Sequence, residues 1–234
     1  MQKKYKSILL FTKIHKDNDL FVKLLTDTNE LITGIVYGGL SKKKRNIFQV
    51  GYFLNIDVSF IANRPPSISA ELTNPLISSF INDKYKLSCL LSIMCILNLS
   101  IIEGQKINNI FNITDEFIKL IISKKKWIGG YCIFLFNLLE IIGYQIDYKK
   151  NKDFKYYDLD LLEFTNNKTY NSIIFPFNLL ENNEIPKLYY NQIFNVFIIF
   201  ETIFFKNHLT NFNQYLPNQY QLFKEIINDY LNIK

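Results

Sequence analysis

The chain has 234 residues, of which 48% are hydrophobic and 16% aromatic, and it carries a formal net charge of +6. That length buries a sizeable core in one large domain or two ordinary ones, and that composition excludes a disordered chain. Six prolines and eight glycines exclude a linker-rich or fibrous protein.

The charge is unevenly spread. Residues 1–80 hold eleven Lys/Arg against six Asp/Glu, whereas residues 81–234 hold sixteen against fifteen. Lys, Asn, Ile, Phe and Tyr are abundant and arginine occurs only at Arg45 and Arg64, the pattern of an AT-rich genome. Such a bias would spread lysine evenly, so the asymmetry points to an anionic partner for the N-terminal region, nucleic acid or membrane surface.

The N-terminal "MQKKYKSILLF" is basic but has no long apolar stretch and no small-residue cleavage site, so no cleaved leader is expected. From there the chain carries a period of two. "KSILLFTKI" (residues 6–14), "LFVKLLT" (20–26) and "LITGIVYG" (31–38) are short and β-prone, separated by turns at "KDND" and "DTNE". In "GYFLNIDVSFIA" (51–62), Leu54, Ile56, Val58 and Phe60 alternate with Asn55, Asp57 and Ser59. "SISAELT" (67–73) repeats the alternation. Five short strands at roughly ten-residue spacing predict a small barrel; five-stranded barrels of the OB type are common nucleic-acid binders, and other small barrels have similar strand counts. The expected fold class is α+β, with a barrel over residues 1–75 and a mainly helical domain over 76–234.

Beyond "RPP" (64–66) the period becomes helical. "LSCLLSIMCILNLSII" (87–102) is the longest uncharged run. It falls short of the roughly 20 residues that span a bilayer and reads as a buried helix. Helices are expected over 115–123, with Thr114 as N-cap, and over 131–142, closed by Gly143. A polar, irregular insertion near 144–186 holds a short hairpin within 161–175. Two further helices are expected over 189–209 and 217–232.

Chemistry-bearing motifs are absent. There is no G-x-x-x-x-G-K-[ST] loop, no G-x-G-x-x-G fingerprint and no H-E-x-x-H or G-x-S-x-G context around His15 or His208. Cys89, Cys95 and Cys132 make no C-x-x-C pair and read as small buried hydrophobes, so no metal or cofactor is expected. The carboxylate pairs Asp17/Asp19, Asp115/Glu116 and Asp158/Asp160 lie in turns or at helix starts, where they cap backbone N–H groups. The chain is not expected to be an enzyme.

One segment reads either as a solvated loop or as a phosphate-gripping arm. "GGLSKKKRNIFQV" (38–50) sets Lys42, Lys43, Lys44 and Arg45 side by side on the connection between the third and fourth strands. Four cations at a barrel rim displace counterions from a phosphate backbone, giving salt-dependent, sequence-blind binding. Lys4, Lys6, Lys13, Lys23 and Arg64 extend the candidate track, and Tyr37 and Phe48 are candidates to stack on bases, with core packing as the favoured alternative for each. The lysines at 124–126 instead complement a helix C-terminus.

The sequence resembles the bacterial RecO family of recombination mediators. "DNDLFVKLLTDTNELITGIVYGGLSKKKRNIFQVGYFLNIDV" looks like that family's N-terminal barrel: Asp19 before an apolar strand ending in Leu24-Leu25-Thr26, a strand ending in glycine, a basic cluster, then Gln49. "WIGGYCIFLFNLLEIIGYQIDY" resembles its aromatic-rich helix, and "FFKNHLTNFNQYLPNQYQLFKEII", with Leu216-Pro217, resembles the C-terminal helices of a shorter branch. Two departures stand out. The segment after Gly143 has no cysteine, so the zinc site of some members is not carried over, and the basic cluster is mostly Lys, which lacks the bidentate fork of Arg.

The resemblance implies a cytoplasmic DNA-repair factor, associated with the nucleoid during repair. It would bind single- and double-stranded DNA, anneal complementary strands and help load RecA recombinase onto DNA coated with single-strand-binding protein. RecR and the acidic, apolar C-terminal tail of single-strand-binding protein are its implied partners. An RNA-binding OB protein and a cationic membrane-surface protein are the alternatives. Membrane attachment requires an exposed 87–102 segment, whereas the DNA reading expects it buried and needs no membrane.

Overall fold

The computed structural model describes residues 1–123, 127–182 and 190–233. The lysines at 124–126, and residue 189 where the penultimate helix was expected to begin, lie outside the described residues. The chain forms two compact units, one of Met1–Asp115 with Pro217–Ile227, the other of Glu116–Leu216 with Asn228–Lys234.

In the first unit, β1 (Gln2–Ile14), β2 (Leu20–Thr26), β3 (Leu31–Val36), β4 (Phe53–Ser59) and β5 (Ser67–Asn74) close a barrel in the order β1-β2-β3-β5-β4. The period of two explains the interior. Leu54, Ile56 and Val58 of β4 point in and are buried, while Asn55 is exposed. They meet Leu9, Val22, Leu24, Ile32 and Ile68 in one apolar cluster. Phe60 does not continue the alternation; it lies past the end of β4 and is exposed.

β1 serves two neighbours. Its first half pairs with β4 and its second with β2, and the register shifts between Leu9 and Phe11. Such an irregularity bends a strand and lets it pass from one side of a barrel to the other. Ile8 and Leu10 are nonetheless buried, and helix α1 (Lys84–Ser100) packs on this strand.

Closure rests on a single parallel contact. Ile35 of β3 pairs with Ser67 of β5, and the Ile35 N–H donates to the Pro66 carbonyl at 2.8 Å. Gly34 makes that approach possible, because a Cβ there would lie 2.6 Å from both the Pro66 carbonyl oxygen and Ile68 Cδ1.

The apolar run that raised the membrane question is helix α1. Asp83 caps it, its carboxylate accepting the N–H groups of Tyr85 and Lys86 at 3.1 and 3.2 Å. Cys89, Leu90, Ile93, Met94, Ile96 and Leu97 are fully buried. Among the described residues no helix is long and apolar enough to cross a membrane.

Helix α2 (Ile110–Ile122) begins five residues before the expected start, and Thr114 is not its cap. The Thr114 hydroxyl is buried and donates to the Ile110 carbonyl at 2.7 Å inside the helix. The capping group comes from elsewhere: Asn29, in the left-handed turn between β2 and β3, accepts the Phe111 N–H on Oδ1 at 3.0 Å.

In the second unit, α3 (Trp127–Ile141) ends as expected at Gly143, whose φ is +96°. The Gly143 N–H reaches the Glu140 carbonyl and the Tyr144 N–H the Leu139 carbonyl, the Schellman arrangement. α3 packs on α5 (Tyr190–Phe204), with Tyr131 edge-on to Phe197 at 5.8 Å. The short α4 (Phe177–Asn182) lies between them in sequence, and α6 (Asn218–Ile233) supplies residues to both units.

The expected hairpin within 161–175 is not formed. β7 (Glu163–Thr165) and β8 (Ser172–Ile174) do not pair with each other; both flank β6 (Tyr156–Asp158) in the order β7-β6-β8. Phe175 anchors this small sheet, with ring centroids 4.8 Å from Phe164 and 4.6 Å from Phe177. Asp158 closes its turn by accepting from the N–H groups of Leu161 and Asp160 and from the Thr169 hydroxyl, which holds its carboxyl below the usual range.

Gly34→Ala is expected to destabilise the barrel by about 1–3 kcal/mol, the usual cost of forcing extra atoms into a packed site. Thermal denaturation of the variant against wild type measures this cost of the close approach.

Candidate nucleic-acid interface

With β5 lying between β3 and β4, the chain leaving β3 must cross the end of the barrel before it can start β4. Residues 37–52 make that crossing, and they contain the four cations. The crossing is pinned at its base. Gly38 adopts φ +63° and donates its N–H to Asp19 Oδ1 at 2.8 Å, while the Leu40 N–H reaches the Asn18 carbonyl at 3.0 Å. A positive φ at this turn favours glycine.

The four cations then occupy a single tight turn. The Ser41 carbonyl accepts the N–H groups of both Lys44 and Arg45 at 3.0 Å, and Gln49 Nε2 donates to the Arg45 carbonyl at 2.8 Å. Lys42, Lys43, Lys44 and Arg45 are all exposed. Lys44 Nζ donates to the Tyr37 carbonyl at 2.8 Å. Among the described residues, no carboxylate forms an ion pair with any of the four. Charges so placed keep their full field toward an incoming anion.

The apolar side of the crossing faces the other way. Phe48 is buried in the barrel cluster at 5% exposure, and Leu40, Ile47 and Tyr52 pack against the same cluster. Phe48 therefore plugs the barrel end and is not available to stack on a base. Tyr37, at 55% exposure, is.

The remaining candidate residues are spread over several surfaces. Lys13 and Arg45 line one groove of about 710 Å³, whose walls include Ile14, Leu40, Ile77 and Ile81. Lys4 and Lys6 line a separate cleft of about 540 Å³ beside Asp27, Asp57 and Glu71, and Lys4 Nζ lies 3.5 Å from Asp57. Three carboxylates against two ammonium groups make that cleft no phosphate track. Lys23 rests over the Phe11 ring at 5.8 Å, and Arg64 is exposed on the turn between β4 and β5.

The described residues contain no group of three or more His, Cys, Asp or Glu side chains placed to hold a metal ion. Burial pushes the Cys95 thiol up to about 12 and raises that of Cys132 as well, so both stay protonated at neutral pH.

No protein-family model matches the chain. A sequence relative exists: the DNA repair protein RecO of Rickettsia canadensis (strain McKiel) is 28% identical over 146 residues, 61% of this chain. The chain is similar to RecO. The matched segment spans 59% of that protein's length, under two thirds of it.

The sequence overlooked the double role of the crossing. Phe48 and Ile47 are separated from the cations only by Asn46, and nothing in the local pattern says that one side of the loop plugs the barrel while the other faces water. Phe48→Ala is expected to cost about 3–5 kcal/mol of stability, as large-to-small changes in a core do. Tyr37→Ala should stay within about 0.5 kcal/mol, as an exposed substitution does. Chemical denaturation of the two variants checks the contrast.

Proposed function

We propose that this protein is a non-enzymatic DNA-binding mediator of recombinational repair, working as RecO-type proteins do. The observation that carries the proposal is the exposed turn of Lys42, Lys43, Lys44 and Arg45, held on a closed five-stranded barrel and unmatched by carboxylates, in a chain similar to RecO.

On this reading the barrel acts as an OB-type module and the turn grips phosphates. Each ammonium or guanidinium releases condensed counterions from the nucleic acid, so affinity comes without sequence readout. Single strands and duplexes both present a phosphate backbone, so both bind. Neutralising two complementary strands on one surface lowers their mutual repulsion, which favours annealing. Lys13, next to Arg45 in the same groove, extends the cationic edge; Lys4 and Lys6, facing Asp27, Asp57 and Glu71, contribute little.

The wider role follows from the resemblance. The protein would load RecA recombinase onto gapped DNA together with RecR, in the cytoplasm. Its helical region would receive the acidic, apolar tail of single-strand-binding protein. Burial of α1 speaks against the membrane-surface alternative, which needs that helix exposed.

The test is fluorescence anisotropy of a labelled single-stranded oligonucleotide across a salt series. Changing residues 42–45 together to Ala should weaken binding for every sequence alike. It should also flatten the plot of log affinity against log salt by about 0.7 for each phosphate no longer neutralised. An unchanged slope, with circular dichroism showing matched folding, would reduce the turn to a solvated loop.

A further inference from the structure

The groove that Lys13 and Arg45 share is more than an extension of the cationic turn. Residues of the barrel, the crossing and helix α1 line it, and its volume of about 710 Å³ suits one small organic molecule. Phe48 and Ile77 are buried at its floor, while Leu87 and Leu91, one helical turn apart on α1, stand half-buried in its wall. Its rim carries Ile14 at 64% exposure and Ile81 at 48%, two large aliphatic side chains left in water beside an apolar floor. None of the described residues lining the groove is acidic, and among the described residues neither Lys13 nor Arg45 forms an ion pair. An exposed apolar rim and unpaired cations in one concavity match an occupant with an aliphatic body and an anionic end.

We propose that this groove binds one unbranched fatty carboxylate, its chain covering Ile14 and Ile81 and its head group meeting Lys13 and Arg45. Three features favour that occupant over others. The walls are mostly branched aliphatic. Phe48 is buried in the barrel core and Tyr52 packs against it, so a flat base finds little ring surface to stack on. A peptide would carry backbone amides onto these walls, where the uncharged polar side chains are Thr12, Asn46 and Gln49, beside the Tyr52 hydroxyl, and the Gln49 amide already donates to the Arg45 carbonyl. Amides left unpaired there weaken binding, and a hydrocarbon chain brings none. A second copy of the chain, seated face to face, would bring its own four-cation turn against this one, and like charges repel.

Covering an exposed isoleucine side chain raises affinity about tenfold or more. A carboxylate met by an ammonium and a guanidinium fixes which end of the chain lies at the turn. The site also bears on the function proposed above. Arg45 belongs to the phosphate-gripping turn, so a carboxylate held by Arg45 and Lys13 takes two cations from an approaching phosphate backbone. That consequence rests on the DNA-binding reading, whereas binding of the carboxylate does not. Each ligand then weakens the other to the same degree.

Isothermal titration calorimetry of the full chain with octanoate and dodecanoate, both kept below their micelle concentrations, tests the site. Wild type should bind one dodecanoate per chain, more tightly than octanoate. Ile14→Ser and Ile81→Ser should each weaken dodecanoate about tenfold, and Lys13→Ala should weaken it and lower its dependence on salt. All three side chains are exposed, and circular dichroism checks that folding is intact. Absence of saturable binding by wild type, equal affinity for the two chain lengths, or full affinity in both isoleucine variants overturns the proposal. So does cosedimentation of wild type with phosphatidylglycerol vesicles that is lost in the isoleucine variants, which would make the same residues a membrane contact. A labelled single strand titrated in parallel separates this proposal from the DNA reading. Dodecanoate bound without the strand refutes the DNA reading and leaves the groove standing; the strand bound without dodecanoate refutes the groove alone. Where both bind, dodecanoate should weaken the strand several-fold, and an unchanged strand affinity overturns the coupling. Should an isoleucine variant fail to fold, Lys13→Ala and the chain-length comparison on wild type decide.

Discussion

The parallel contact between β3 and β5 is the constraint from which the rest of the first unit follows. Gly34 lets the Pro66 carbonyl and the Ile68 side chain come within a distance that no Cβ would allow. Once β5 occupies the place next to β3, β4 cannot lie there, and residues 37–52 must cross the barrel end to reach it. A crossing of that length would be an entropic liability if left loose. Here Asp19 and Asn18 tie down its start, and Phe48, Ile47, Leu40 and Tyr52 tie down its far side. What remains outside is the turn of four cations. The charge is thus presented by the same structural necessity that closes the barrel.

Electrostatics alone would make a poor account of the surface. The N-terminal region has an excess of positive charge, yet its lysines are not equivalent. Lys4 is paired with Asp57 and shares a cleft with two further carboxylates, so its field is largely cancelled at short range. The turn at 42–45 has no such neighbours, and Lys13 adds to it. A phosphate backbone approaching the barrel meets net positive potential at the end carrying the crossing and a mixed surface on the β1–β4 side. Such a polarity would orient an anionic ligand before any contact is made.

Much of the barrel was legible in the sequence because half-buried strands write their faces into the residue order. β2 matches its expected bounds, and Leu54, Ile56 and Val58 announce β4. β1 was harder. Its extra residue at the Leu9–Phe11 shift breaks the alternation, and it starts at Gln2, four residues before the expected start, where its first residues pair with β4. The start of α2 was misplaced because its cap, Asn29, is eighty-two residues from the N–H it accepts. The β6–β8 sheet was misread because three-residue strands carry no period, and an aromatic cluster around Phe175 holds them together. At the candidate site the cations were visible as a run. For Phe48 and Tyr37 the residue order left core packing and exposure both open, because burial on one side of a loop leaves no periodic trace; the structure puts Phe48 in the core and leaves Tyr37 exposed.

The central claim is that the cationic end of the barrel holds nucleic acid. Amide hydrogen exchange, followed peptide by peptide with and without a saturating single-stranded oligonucleotide, tests it most directly. The account predicts slowed exchange in peptides covering residues 10–23 and 37–49, with peptides over α3 and the β6–β8 sheet unchanged. Protection confined to the second unit, with the 37–49 crossing unaffected, would contradict it.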